Sequence, residues 1–141
     1  MKRSSLLFTA FALLFLVSCG KYEDGPDFTL RSKTARIAGS WTLEKYMVDG
    51  VDLTSQVTSA DLALSLKYDK DGSYTEVRFL SGQVVSTKSG TWKFSLNKEN
   101  LVVTLTSGTV TAYEILRLTN SELWLQETYG GDVTETHFRA E

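Results

Sequence analysis

The chain has 141 residues, of which 42% are hydrophobic and 23% are charged, so length and composition predict one globular domain. A single Cys and a single His exclude an internal disulfide and the usual Cys/His zinc sites. The formal net charge of −2 gives no electrostatic footprint for nucleic acid. We therefore expect no metal, no cofactor and no nucleic-acid partner.

The N-terminal segment predicts an export signal. Met1–Arg3 is basic, and the almost wholly apolar Leu6–Val17 is shorter than the roughly 20 residues that span a membrane. Small residues then precede the lone Cys19, an arrangement that resembles the bacterial lipobox. The resemblance implies that residues 1–18 are a signal peptide and that Cys19 becomes the lipidated N-terminus. The alternative is an ordinary secreted protein with a chance cysteine.

The segment 19–36 predicts the lipidated Cys19 followed by a flexible tether, because it is rich in small and charged residues and contains the only Pro. Glu23 and Asp24 resemble the acidic surface-export signals of Bacteroidetes lipoproteins, although a charged tether explains them as well. Since two or more acyl chains anchor a protein stably, lipid on Cys19 makes the membrane a partner. We expect a monomeric outer-membrane lipoprotein, exposed at the cell surface if the acidic pair is such a signal.

Residues 37–141 predict an all-β domain. Short segments with period-two alternation are separated by turn residues, and outside the signal only a short turn near 32–38 is predicted as helical. A meander of eight strands has two unpaired edges, and closure into an antiparallel up-and-down barrel removes them. The predicted strands are 40–48, 62–68, 73–80, 84–95, 101–106, 109–118, 122–129 and 133–139.

Loop lengths predict which residues face each other across neighbouring strands, and hence which side chains point inward. The predicted pairs are Leu66–Thr75, Leu96–Leu101, Leu105–Val110, Leu118–Leu123, Glu114–Glu127, Leu123–Phe138 and Glu127–Thr134. These registers give one apolar face, made of Trp92, Phe94, Leu96, Leu101, Val103, Leu105, Val110, Ala112, Leu116, Leu118, Leu123, Leu125 and Phe138. The opposite, more polar face contains Thr111, Tyr113, Arg117, Trp124, Gln126, Glu135 and His137.

Glu114 and Glu127 form the sharpest candidate site. The predicted register places both carboxylates opposite each other inside the barrel, where they would share a proton or bind a cation or a polar ligand. Thr134 lies beside Glu127, and Lys45 has the inward parity of its strand. With Tyr129, these residues make up the predicted ligand-binding set. A β-bulge that turns one glutamate outward is the alternative.

Several other features have plain structural interpretations. The segment 49–61 is long enough to be a lid over the barrel, or it is a solvated connection. Asp69–Gly72 resembles the start of a calcium loop but lacks the later ligands, so we interpret it as a hairpin turn. His137 is interpreted as a surface residue. Because no catalytic motif is present, we assign no catalytic residue and expect no enzyme.

The ordered motifs Gly39–Trp41, Tyr68–Tyr74, Gly90–Trp92 and Tyr113–Thr119 resemble the small lipocalin-like domains of Bacteroidetes lipoproteins, over about residues 37–139. The resemblance implies an eight-stranded calycin-type barrel. Lipocalins usually hold a small apolar molecule, so it also implies a binding module for a small, mostly apolar ligand inside the barrel. The alternative is a structural or protein- or glycan-interaction protein whose barrel is filled by its own side chains.

Overall fold

The computed structural model describes residues 30–58 and 61–141. The predicted signal peptide and Cys19 lie outside these residues, as does most of the predicted tether. Within the described residues, no helix is both long enough and apolar enough to span a membrane. The elements are α1 (Lys33–Ile37), β1 (Gly39–Val48), β2 (Val51–Asp52), α2 (Thr54–Val57), β3 (Leu62–Tyr68), β4 (Ser73–Leu80), β5 (Gln83–Phe94), β6 (Asn100–Leu105), β7 (Val110–Leu118), β8 (Glu122–Tyr129) and β9 (Asp132–Ala140).

The strands form one antiparallel sheet that closes on itself. Strands β3 to β9 follow each other in sequence order, β1 pairs with β3, and β9 pairs back onto β1. The two-residue strand β2 only extends β1 at its end, so eight strands make the barrel. The predicted all-β, eight-stranded up-and-down barrel is confirmed, and each of its strands lies within one residue of the predicted bounds.

One end of the barrel is closed by side chains and by α1. Ser32 caps this helix by accepting a hydrogen bond from the Ala35 backbone N–H at 3.1 Å. Trp41, which is buried, donates its indole N–H to the Ile37 carbonyl at 2.8 Å, and Trp92 donates to the Asp69 carbonyl at 2.8 Å. The buried core is made of Ile37, Trp41, Leu43, Leu66, Tyr68, Tyr74, Trp92, Leu101, Val103, Ile115, Leu118, Leu123, Leu125 and Phe138.

Strands β5 and β6 approach closely at Gly90. A Cβ atom at this position would lie 2.1 Å from the Thr104 carbonyl oxygen, so only glycine permits this backbone geometry. Across the β4–β5 ladder Gly90 faces Tyr74, a buried core residue. The Gly90–Trp92 motif therefore combines a close backbone contact with a buried indole.

Two hairpins use three-residue loops, and this changes the register of the strands that follow. In the β6–β7 loop, Gly108 donates to the Leu105 carbonyl at 2.9 Å, Leu105 donates to the Thr109 carbonyl at 2.8 Å, and Gly108 has φ +93°. The β3–β4 loop repeats this pattern with Gly72 at φ +91°. The predicted loop lengths were wrong by one residue at both places, and such a slip inverts the faces of a strand.

Two β-bulges also shift the strands away from the predicted register. One interrupts β1 between Leu43 and Lys45, and the other interrupts β7 between Ile115 and Arg117. The second bulge restores the predicted pair Leu118–Leu123 beyond it. The β5–β6 register keeps its predicted faces but slides by two residues.

The slipped registers change which side chains form the core. Val110 and Leu96, both predicted to point inward, are exposed, and the inward position expected for Leu116 is occupied by Ile115. The predicted pairs Leu66–Thr75, Leu96–Leu101, Leu105–Val110 and Glu114–Glu127 are wrong, and the pairs Leu118–Leu123, Leu123–Phe138 and Glu127–Thr134 are confirmed.

Candidate functional site

The half of the barrel opposite α1 is hollow. An inner cavity of about 190 Å³ is lined by Tyr46, Leu64, Leu66, Tyr68, Tyr74, Glu76, Arg78, Tyr113, Leu125, Glu127, Thr134, Thr136 and Phe138. An outer cavity of about 250 Å³ is lined by Leu43, Tyr46, Gln56, Val57, Leu62, Ala63, Leu64 and Arg78. Because Tyr46, Leu64 and Arg78 line both, the two cavities adjoin, and the outer one is the more apolar.

Residues 49–58, the described part of the long connection after β1, cover this end of the barrel in part. Its short helix α2 places Gln56 and Val57 on the wall of the outer cavity. The hydroxyl of Thr54, at the start of α2, accepts a hydrogen bond from the Tyr46 backbone N–H at 2.9 Å. The segment is therefore hydrogen-bonded to β1 and forms part of the cavity wall.

Glu127 lies on the wall of the inner cavity. It faces Thr134 across the β8–β9 ladder, as predicted, and both side chains line the cavity. Burial raises the pKa of the Glu127 carboxyl. No hydrogen bond or ion pair joins its carboxylate to another residue in the described part of the chain. Its interior position is confirmed, and its role in ligand binding stays a prediction.

Glu76, a second carboxylate in the inner cavity, differs from Glu127 because both of its oxygens have hydrogen-bond or ion-pair partners. Arg78 donates to it at 3.0 Å, and the Lys88 ammonium lies 3.3 Å from the same oxygen. Its other oxygen accepts from the Tyr74 hydroxyl at 3.3 Å. Glu76 is thus held by two cations and a phenol, and Arg78 at the junction of the cavities already has an anionic partner.

Tyrosine side chains form much of the inner wall. Burial raises the pKa of Tyr113 to about 12, with a further contribution from the negative charge of Glu127. Burial likewise raises the pKa values of Tyr74 and Tyr68, whose rings lie 5.2 Å apart. These phenols stay neutral across the physiological range, so they offer hydroxyl groups and aromatic faces rather than charge.

The sequence placed Glu114 inside the barrel, and the structure corrects this. Glu114 faces Gln126 across the β7–β8 ladder, while its neighbours Tyr113 and Ile115 point into the barrel. The three-residue loop before β7 causes this shift. The bulge that the sequence left open as an alternative occurs in the same strand, at Leu116.

Lys45 and Tyr129, also predicted to face a ligand inside the barrel, lie elsewhere. The bulge in β1 turns Lys45 to the outer surface, where it lies opposite His137 in the β1–β9 ladder. Tyr129 is 86% exposed at the end of β8 and lines neither cavity. The sequence patterns did not predict that Glu76, Arg78 and several tyrosines line the inner cavity. Recognising Gly72 and Gly108 as the third residues of their loops would have found the residues on β4 and β7.

On the outer surface, neighbouring strands form a row of stacked side chains. His137 stacks on Trp124 with ring centroids 4.1 Å apart and planes 4° from parallel. The Arg117 guanidinium lies 5.0 Å from the Trp124 ring centroid, and Glu135 lies 2.5 Å from His137. His137 lies on the outer face, as predicted, and its ring stacks on Trp124 and is hydrogen-bonded to Glu135.

The described residues contain no group of three or more His, Cys, Asp or Glu side chains that could hold a metal ion. Asp71 in the β3–β4 loop accepts a hydrogen bond from the Ser73 backbone N–H at 2.8 Å, which lowers its pKa. The loop is a hairpin turn closed by its own backbone, as the sequence analysis interpreted it.

Comparison with known proteins identifies the fold family. A family model described as a lipocalin-like domain matches residues 37–125. An uncharacterized protein from Bacteroides eggerthii has a similar structure, with a TM-score of 0.58 and 17% identity over 74% of this chain and 99% of that chain. A protein from Bacteroides uniformis gives a TM-score of 0.55 and 16% identity over 76% of this chain and 90% of that chain.

No curated protein matches the chain. At identities below a fifth, the two structural similarities show the fold alone. The family match covers more than half of the chain, from α1 into β8 of the barrel, and it confirms the resemblance found in the ordered motifs. The chain belongs to the lipocalin-like domain family.

Proposed function

We propose that this protein binds a small organic molecule in the open half of its barrel. The observation that carries the proposal is the pair of adjoining cavities, of about 190 and 250 Å³, in a barrel whose other end is filled. Binding sites for small molecules are usually concave, with apolar walls and a few polar groups; here the outer cavity supplies the mostly apolar walls and the inner cavity supplies the polar groups. The lipocalin-like family supports a binding role rather than a catalytic one.

A substitution at Leu64 tests this proposal, because Leu64 lines both cavities. We expect Leu64→Trp to fill the space and to weaken binding of an uncharged apolar fluorescent probe, such as N-phenyl-1-naphthylamine, by about tenfold or more. Val77→Trp is the matched control, since Val77 alternates with Glu76 and Arg78 on β4 and points outward. Absence of probe binding, or equal loss in both variants, would favour the alternative of a side-chain-filled barrel that acts through its surface.

We also propose that the barrel is held at the outer membrane by lipid on Cys19. The described chain begins at the closed end, where Lys33 donates to the Lys98 carbonyl at 3.1 Å and Arg36 donates to the Leu118 carbonyl at 2.9 Å. An anchor upstream of α1 would therefore join the barrel at its closed end and not at the end that contains the cavities. This arrangement is consistent with uptake of a ligand from the aqueous side.

The anchor is tested by Cys19→Ser in cells. We expect the variant to leave the membrane fraction while the purified barrel keeps its unfolding midpoint. Protease added to intact cells then reports whether the wild-type domain is exposed at the surface. A variant that stays in the membrane fraction at wild-type levels would contradict the lipid anchor and leave the cavity proposal standing.

A further inference from the structure

The inner cavity contains one carboxylate with partners and one without. Glu76 is engaged by Arg78, Lys88 and Tyr74, whereas Glu127 has no hydrogen bond or ion pair to any described residue. A carboxylate that is partly shielded from water and has no partner loses some hydration free energy, which a complementary group on a ligand would recover. Glu127 is thus the group in this cavity that stands to gain most from a bound molecule.

The surroundings of Glu127 fit a cation. The rings of Tyr46, Tyr74 and Tyr113 line the same cavity, and aromatic faces attract ammonium groups. An anionic ligand would meet the charge of Glu127, and the one arginine on the wall, Arg78, is already bound to Glu76.

The remaining walls fit an apolar body attached to that cation. Leu66, Leu125 and Phe138 line the inner cavity beside the polar groups, and Val57 and Leu62 line the outer one. A molecule with one charged end can therefore place that end at Glu127 and extend its apolar part towards α2.

Resting on the proposed binding function, we propose that the ligand is an amphiphilic organic amine whose ammonium group pairs with Glu127. Its carbon skeleton then packs along the leucine-lined wall towards the outer cavity. The carboxylate supplies charge-assisted hydrogen bonds, and the tyrosine hydroxyls complete the coordination of the ammonium.

Three probes with the same phenyl group and different charges test this inference: 2-phenylethylamine, 2-phenylethanol and 3-phenylpropionate. We expect calorimetry on the full-length protein at neutral pH to show that the amine binds at least about tenfold more tightly than the alcohol. The carboxylate should bind most weakly. Glu127→Gln should remove the preference for the amine, so that the amine and the alcohol bind with similar affinity.

Glu114→Gln is the matched control, because it makes the same chemical change on the outward face of the adjacent strand. It should keep the wild-type preference. A preference for the amine that survives Glu127→Gln, or tightest binding of the carboxylate, would overturn the inference.

These measurements distinguish failure of the amine inference from failure of the proposed binding function. Equal binding of amine and alcohol, lost for both in Leu64→Trp, would contradict the amine inference and leave the binding function intact. Failure of all three probes and of N-phenyl-1-naphthylamine would contradict both. A melting temperature of Glu127→Gln no lower than that of wild type would show that a loss of amine binding comes from the site rather than from unfolding.

Discussion

The two ends of the barrel are built from the same strands but differ in what fills them. At the closed end, Trp41 and Trp92 are buried and donate their indole N–H groups to backbone carbonyls, and Ile37 of α1 packs against them. In the open half, Glu76 and Glu127 line the inner of the two adjoining cavities. At the closed end, the two indole N–H groups have partners within the protein, whereas in the open half the Glu127 carboxylate has no hydrogen-bond or ion-pair partner among the described residues.

This difference predicts that truncation costs most at the closed end. Trp41→Ala removes a large side chain that is 1% exposed and its hydrogen bond, so we expect a loss of about 3–5 kcal/mol in the free energy of unfolding. Leu64→Ala enlarges an existing cavity that solvent can reach, so it should cost under about 2 kcal/mol. Urea unfolding measures both. Equal losses would show that the open half supports the fold as much as the closed end does.

The next effect concerns the close approach of β5 and β6 at Gly90. In Gly90→Ala the new Cβ would meet the Thr104 carbonyl oxygen at 2.1 Å, and the two strands would have to separate. We expect a destabilisation of about 1–3 kcal/mol, the usual range for overpacking. Ser89→Ala, one residue earlier in β5, is the control for an ordinary substitution in this strand. A Gly90→Ala protein with the wild-type unfolding midpoint would contradict the close contact.

The sequence predicted the strands well and the faces of some strands poorly. Period-two patterning located every strand of the barrel, because a half-buried strand repeats apolar residues at that period. The predicted registers were wrong where a difference of one residue in loop length determines which face of the following strand points into the barrel. Gly72 and Gly108 each end a three-residue loop, and treating these loops as longer or shorter hid Glu76 and Tyr113 from the candidate site.

The β8–β9 hairpin shows why Glu127 was placed correctly and Lys45 was not. The glycines at 130 and 131 form a two-residue loop, a short-range signal that fixes register, and no bulge interrupts the ladder from Glu127 to Phe138. The bulge that turns Lys45 outward depends on how β1 meets both β3 and β9, which are distant in sequence. Local patterns do not contain that information.

The two glycine-ended loops give a smaller effect that both ends of the barrel should share. Gly72 closes a loop at the closed end and Gly108 one at the open end, with φ +91° and +93°. Since an added Cβ meets nothing closer than ordinary van der Waals distance at either site, the cost of alanine is backbone strain alone. We expect each substitution to lower the free energy of unfolding by about 1–2 kcal/mol. Chemical denaturation that gave clearly different losses would indicate that the two loops do not share one geometry.

The smallest expected effect concerns the carboxylate in the open half. Burial raises the pKa of Glu127 in the folded protein, so the native state holds this proton to a higher pH than the unfolded chain does. The resulting stabilisation is present below the unfolded value near 4.5 and is lost as pH rises through the folded pKa. Glu127→Gln removes that pH-dependent loss.

We therefore expect the stability of Glu127→Gln, relative to wild type, to increase from acid to neutral pH. The gain should be small, because the carboxylate is only partly buried and water still screens it. Urea unfolding across this pH range measures it, and Glu114→Gln reports the effect of losing one negative charge from the outer surface of the same barrel. If the two variants show the same pH profile, the Glu127 carboxylate is as well solvated as a surface group. A ligand ammonium would then have no desolvation cost of this carboxylate to recover.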